Sequence, residues 1–189
     1  MNSVIDNENT IIIKNSKFIC LIYQVNDINL VNDYLESARN KYKDATHYCY
    51  AYIINNISKC SDDGEPSGTA GIPMLEVLKK NDLNNVLCIV IRYFGKILLG
   101  ASGLVRAYSR SVSECIGGHI VVLQPGYNIT IKFNYDNLKI IDYILKDKKN
   151  VKKKYEDIII YNLDVDYHTY DKLININNCN VIINKDIYL

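Results

Sequence analysis

Two segments gather the residues with chemical capacity. The first, SDDGEPSGTAGIP, runs from Ser61 to Pro73 and sets Asp62, Asp63 and Glu65 around Gly64. Carboxylates this close can hold a hard cation such as magnesium or calcium through oxygen, or take a proton as a general base. The same residues can equally form a solvated turn in which Asp side chains cap backbone amides. The ligand spacing of an EF-hand is absent. Ser67, Gly68, Thr69 and Gly71 follow, and their amides can face a phosphate or a carboxylate. The alternative is that the glycines only supply positive φ ahead of a helix.

The second segment, IRYFGKILLGASGLVRAYSRSV, begins at Ile91. Its GKILLGAS stretch has the frame of a phosphate loop but lacks the Lys-Ser/Thr pair that such a loop needs after its second glycine. It brings Arg92, Lys96, Arg106 and Arg110 around a strand end and the next helix. Arg106 and Arg110, four apart, share a helix face. With the loop amides these cations can grip RNA phosphates or an anionic ligand. The competing use is an internal ion network with Asp62, Asp63, Glu65 or Glu114. Tyr48, Tyr50, Tyr52, Tyr93 and Tyr108 can stack on bases or pack as half-buried core, and the first three alternate on one sheet face. Cys49 and His47 also share a strand face, but no third group is in view to orient the histidine, and no GxSxG elbow occurs. The run Lys146–Lys154 can touch RNA backbone or lie solvated in a hairpin turn. No catalytic residue, cofactor or metal site is assigned.

Composition narrows the setting. The chain has 189 residues, 48% hydrophobic and 23% charged, enough apolar material for one good core or two modest ones. A formal net charge of +1 gives no global field, so any polyanion site must be local. Eight of the nine glycines lie between Gly64 and Gly118, and three of the four arginines share that window. A lysine-using chain that concentrates arginine there has placed planar, bidentate anion donors in one region. The N-terminus lacks a basic-then-apolar signal pattern, and the longest apolar run, Val86–Ile91, falls far short of the ~20 residues that span a bilayer. Six scattered cysteines form no CxxC pair, which predicts free thiols in a reducing compartment. A cytoplasmic protein is expected.

The elements that must position these residues can be read from pattern. Residues 10–25 predict two apolar strands around a polar turn at Lys14–Lys17. Asp27 is placed to cap a helix with apolar residues at helical spacing, and HYCYAYII from His47 is a Tyr-rich strand. A short helix opens near Pro73. Asn85–Phe94 is continuously apolar, the pattern of a strand buried on both faces. A helix over Leu104–Ile116 stops at Gly117-Gly118, and a strand follows. Pro125-Gly126 is the candidate boundary between residues 1–124 and 125–189. Beyond it the pattern restarts as strand, helix, two strands, helix, strand, a βαββαβ order of ferredoxin-like type.

The two Gly-rich segments, their spacing, the preceding HYCYAY and the opening KNSKFIC (Lys14–Cys20) together resemble the Impact/YigZ family over nearly all of residues 10–123. Over 126–189 only the general pattern of the family's ferredoxin-like C-terminal domain is matched. The chain departs from the family at Lys96, where a second glycine is usual, at Leu98 in place of a basic residue, at Ser102 in place of glycine, and at Ile91 in place of a common threonine. The resemblance implies an α+β protein with a ribosomal-protein S5 domain 2-like first domain followed by the ferredoxin-like one. It also implies a link to translation regulation with no firmly attached chemistry.

The expected function is therefore that of a non-catalytic protein contacting RNA or a ribosome-associated partner through Arg92, Lys96, Arg106, Arg110, Ser67, Gly68 and Thr69. The alternative is a protein or enzyme for a small phosphate- or carboxylate-bearing ligand, built on Asp62, Asp63 and Glu65.

Overall fold

The computed structural model describes residues 1–188 and divides into two compact units, Met1–Val122 and the residues from Leu123 on. In the first unit the strands are β1 (Asn2–Val4), β2 (Asn7–Ile13), β3 (Ser16–Gln24), β4 (His47–Ile54), β5 (Ile57–Ser61), β6 (Val86–Tyr93) and β7 (Ile120–Val122). Its helices are α1 (Val31–Lys41), α2 (Gly71–Lys80) and α3 (Ala101–Ile116). The main sheet has five strands in the order β2-β3-β6-β4-β5, antiparallel throughout. A small β1–β7 ribbon closes the ends of the unit together.

The sheet is covered on both sides. Phe18, Cys20, Cys49, Ala51, Cys88 and Val90 pack under α2 and α3, against Met74, Leu78, Ala107 and Val112. Ile19, Leu21, Tyr48, Tyr52, Leu87 and Ile89 point the other way, and α1 contributes Val31 and Ala38 to that core. Strand β6 lies at the centre of both cores, buried from Val86 to Arg92, as a continuous apolar run requires. The three tyrosines of β4 do share a face, and it is packed: Tyr48 and Tyr52 are buried there.

Turn chemistry sets the register. Lys14 and Asn15 join β2 to β3, and Asn55 and Asn56 join β4 to β5, each pair at positive φ. Two-residue hairpin turns of this kind match the right-handed twist of the flanking strands. Strand β5 and ribbon strand β1 were not expected from pattern: ISKCS is short and mostly exposed, with no apolar alternation to announce it. Asp27 caps a single 3-10 turn at Ile28–Leu30 that leads into α1, its carboxylate accepting the Asn29 N–H at 2.9 Å.

The second unit runs β8 (Pro125–Phe133), α4 (Leu138–Ile144), β9 (Lys152–Tyr155), β10 (Ile159–Asp166), α5 (Tyr167–Ile174) and β11 (Cys179–Tyr188), a βαββαβ order. Its antiparallel sheet has the strand order β11-β8-β10-β9. Ile129, Ile131, Phe133, Tyr161 and Val165 face the helices, and Ile141 and Leu173 meet them from α4 and α5. Asp166 caps α5, accepting from the Thr169 N–H at 2.7 Å, and also pairs with Lys148. Burial opposes ionisation of Asp166, but these partners outweigh it and hold its carboxyl well below the usual range. The whole chain is a mixed α+β protein.

Candidate functional site

The acidic loop lies between β5 and α2, and each of its carboxylates is engaged. Asp62 reaches across the loop: Oδ2 accepts from Gly68 N at 2.8 Å, and Oδ1 accepts from Ala70 N at 3.0 Å and Gly71 N at 2.8 Å. The Ala70 and Gly71 amides open α2, so Asp62 satisfies donors that a helix start leaves orphaned, and its bond to Gly68 ties the loop before it. Burial pushes the Asp62 carboxyl up, but the three N–H donors outweigh it and the group sits below its ordinary range. Asp63 Oδ2 accepts from Tyr48 N at 2.6 Å, and Oδ1 pairs with Arg39 at 3.1 Å. Asp63 and Gly64, both at positive φ, form a tight turn closed by the Glu65 N–H on the Asp62 carbonyl. The acidic loop is thus a turn whose Asp side chains cap amides.

Glu65 points inward. It is 7% exposed and meets Arg92, which is 5% exposed. Glu65 Oε1 accepts from Arg92 Nη1 at 2.6 Å and from the Tyr108 hydroxyl at 2.8 Å. The guanidinium lies 5.4 Å from the ring centre of Phe18 and 5.5 Å from that of Phe94, and its Nε has no hydrogen-bond partner. Burial pushes the Tyr108 phenol far up, so it stays protonated and donates. His47 borders the cluster, Nε2 at 3.8 Å from Glu65 Oε2, while its Nδ1 lies 2.9 Å from the Asp63 carbonyl oxygen and must carry the proton there.

Cys49 and His47 do not pair. The Cys49 sulfur lies 3.0 Å from the Asp62 carbonyl oxygen and 3.3 Å from the Tyr108 hydroxyl, and its single S–H donates to one or the other. Burial pushes it up to about 12, so it is thiol rather than thiolate at neutral pH. Among the described residues no three or more His, Cys, Asp and Glu side chains are placed to share a metal ion.

The expected basic face is divided by burial. Arg92 belongs to the interior and Glu65 accounts for its charge, which corrects its placement on a surface. Thr69 is also buried, its hydroxyl donating to the Pro66 carbonyl at 2.6 Å. Ser67 is exposed and Gly68 half-buried, and Gly68's amide is already taken by Asp62. Lys96, Arg106 and Arg110 are exposed. Arg110 pairs with Glu114 one turn on at 2.6 Å, and Lys96 and Arg106 make no ion pair among the described residues. In the lysine run of the second unit, Lys148, Lys153 and Lys154 pair with Asp166, Asp142 and Glu156.

Sequence reasoning weighed Tyr108 only as a stacking or half-buried tyrosine; it is fully buried on α3, and its hydroxyl serves Glu65. It missed one member altogether. Lys14 sits in the β2–β3 turn, which the fold brings beside the second Gly-rich loop. A Cβ on Gly95 would stand 2.0 Å from the Asn15 carbonyl carbon, so only glycine permits this approach.

The model of the Impact N-terminal domain matches residues 14–116, more than half of the chain. The chain belongs to the Impact family. It is 32% identical over 156 residues to IMPACT family member YigZ of Escherichia coli, covering 78% of this chain and 76% of YigZ. It is 48% identical over 120 residues to IMPACT family member YvyE of Bacillus subtilis, covering 62% of this chain and 55% of YvyE, about half of that relative's length. A crystal structure of a hypothetical protein superposes with a TM-score of 0.67 at 26% identity, covering 97% of both chains. The matched Impact domain contains both Gly-rich segments and every site residue of the first unit discussed. The Lys96 departure from the Impact pattern falls at a residue with φ of +63°, where glycine is the unstrained choice.

Proposed function

We propose that this Impact-family chain is a non-catalytic binding protein of translation regulation, which contacts RNA or a ribosome-associated partner through the outer face of α3 and the loop before it. The observation that carries the reading is the exposure of Lys96, Arg106 and Arg110 in one stretch, with a carboxylate partner among the described residues only at Arg110. An exposed guanidinium without an internal partner, as at Arg106, is suited to phosphate oxygens, which it can bind bidentately. The translation link comes from the family resemblance. In this reading residues 1–124 form the Impact-type, S5 domain 2-like domain and residues 125–189 a ferredoxin-like domain, in a cytoplasmic protein. Two observations favour the ferredoxin-like assignment: the βαββαβ order and the β11-β8-β10-β9 sheet. No helix among the described residues is long and apolar enough to cross a membrane.

The enzyme-like alternative built on the acidic loop loses its motive. Asp62 holds the start of α2, Asp63 the edge of β4, and Glu65 the Arg92 guanidinium, so none is free to take a ligand without loosening the loop.

Equilibrium binding to ribosomes and to short RNAs across a salt series tests the proposal. Affinity should fall steeply with salt, and the Arg106→Gln, Arg110→Gln double variant should weaken binding and flatten the salt slope by about two counterions. No binding at low salt would overturn it, because electrostatic attraction is strongest there.

A further inference from the structure

The face of α3 carries a cavity of about 310 Å³ beside the β2–β3 turn. Ile13, Leu99, Gly103 and Ala107 give it an apolar lining, and Lys14, Arg106 and Arg110 line it as well. No carboxylate does. Arg110 uses Nε on Glu114, which leaves its two terminal nitrogens free. Lys14 and Arg106 make no ion pair or side-chain hydrogen bond among the described residues. Three cations from two segments some ninety residues apart are held together by the fold. The glycine contact at Gly95 clamps the turn that bears Lys14, and Lys14 is itself fixed at a φ of +45°.

We infer that this cavity binds a phosphomonoester of nucleotide size. Its volume lies near the lower end of the range for small-ligand cavities, about 300–1,000 Å³. A phosphomonoester carries about −1.5 to −2 charges at neutral pH, which two unpaired cations and a half-engaged arginine can match. A carboxylate or an internal phosphodiester supplies a single charge and leaves part of that positive field uncompensated. Two arginines bring planar forks suited to phosphate oxygens, and their faces can stack on a base. Gly103 carries no side chain, so a flat organic body can lie there against the half-buried Ile13 and Leu99. Inorganic phosphate would leave that apolar surface wet.

The same chemistry is present in a free nucleotide and at the 5′ end of an RNA strand. The inference deepens the proposed RNA contact and rests on it only for the second source.

Calorimetric titration at low salt with uridine 5′-monophosphate, uridine and inorganic phosphate tests the site. The monophosphate should bind, with inorganic phosphate at least about tenfold weaker and uridine weaker still. Lys14→Gln and Arg106→Gln should each cost about tenfold in monophosphate affinity, the loss expected for one charge-assisted contact. Arg106→Lys keeps the charge without the fork and should fall between. Lys59→Gln, an exposed lysine on β5, should change nothing. Melting temperatures of all four variants should match the parent, because the altered side chains are exposed.

Short RNAs bearing a 5′-phosphate or a 5′-hydroxyl separate the two sources. Tighter binding of the phosphorylated strand, lost in Arg106→Gln, assigns the cavity to an RNA end. Equal binding of the two strands, with the monophosphate still bound, assigns it to a free nucleotide. Equal affinity for uridine and its monophosphate would overturn the inference, as would unchanged monophosphate binding in Lys14→Gln and Arg106→Gln. Salt-dependent RNA binding can survive either result, so failure of the cavity is distinguishable from failure of the RNA reading.

Discussion

Replacing Glu65 by Gln should destabilise the first unit by about 3–5 kcal/mol, because it leaves the Arg92 charge buried without a counter-charge. The geometry sets that size. Arg92 is 5% exposed and Glu65 7%, so water screens little. Glutamine keeps an oxygen for the Tyr108 hydroxyl, now 2.8 Å from Glu65 Oε1, so a neutral bond worth about 1 kcal/mol survives there. What is lost is the charge on the acceptor of the 2.6 Å contact to Arg92: the guanidinium keeps a neutral amide oxygen, Ser16 Oγ at 3.5 Å and two ring faces near it, and no counter-charge. Arg92→Met should cost a similar amount by leaving the carboxylate with a single donor. The double variant removes both charges and seats an apolar side chain between Phe18 and Phe94, so it should recover at least about 2 kcal/mol of the summed loss.

Native-state hydrogen exchange at the Ile89 and Val90 amides, in the fully buried centre of β6, reads the global opening of this unit. A loss of about 3–5 kcal/mol accelerates exchange there by roughly a hundredfold to several thousandfold. Strict additivity of the single costs in the double variant would refute the reasoning, since it would mean that the two charges do not depend on one another.

Three further outcomes are expected. Lys96→Gly should stabilise the protein by about 0.5–1 kcal/mol in urea unfolding, because glycine adopts the observed φ of +63° without the steric cost that a side chain brings, less its own entropy loss. Asp62→Asn should cost about 1–2 kcal/mol and weaken the acid sensitivity of the fold. The Asp62 carboxyl lies below its ordinary value of 3.8 when folded, so its contribution is complete above that pH and is lost as pH falls through the folded value. Stability measured from pH 5 to pH 2 should therefore fall less steeply in the variant. Alkylation of the native protein at neutral pH should label Cys60 and Cys179, which are partly exposed, ahead of Cys20, Cys49, Cys88 and Cys115, as peptide mapping would show.

The sequence by itself determined the elements whose periodicity and turn chemistry are local. β6 followed from an unbroken apolar run, α3 from helical spacing ended by Gly117-Gly118, and the βαββαβ order of the second unit from alternating pattern between polar turns. The family followed from two Gly-rich segments whose spacing is specific. Local signals gave no warning of β5 or of the β1–β7 ribbon, because short exposed strands are stabilised by their partners rather than by their own residues.

The roles of the charged residues were decided only by tertiary structure. Arg92 and Arg106 look alike in sequence, each an arginine beside apolar residues in a Gly-rich segment. One faces inward at the end of a central strand, where desolvation compels pairing with Glu65. The other sits on the solvent side of α3, where water makes a partner unnecessary and a ligand possible. Lys14 joins Arg106 and Arg110 only because Gly95 lets two backbones touch, a contact between segments some eighty residues apart that no local pattern encodes. Burial is a property of the whole packed unit, and for ionisable side chains burial settles whether a charge serves the fold or remains free for a partner.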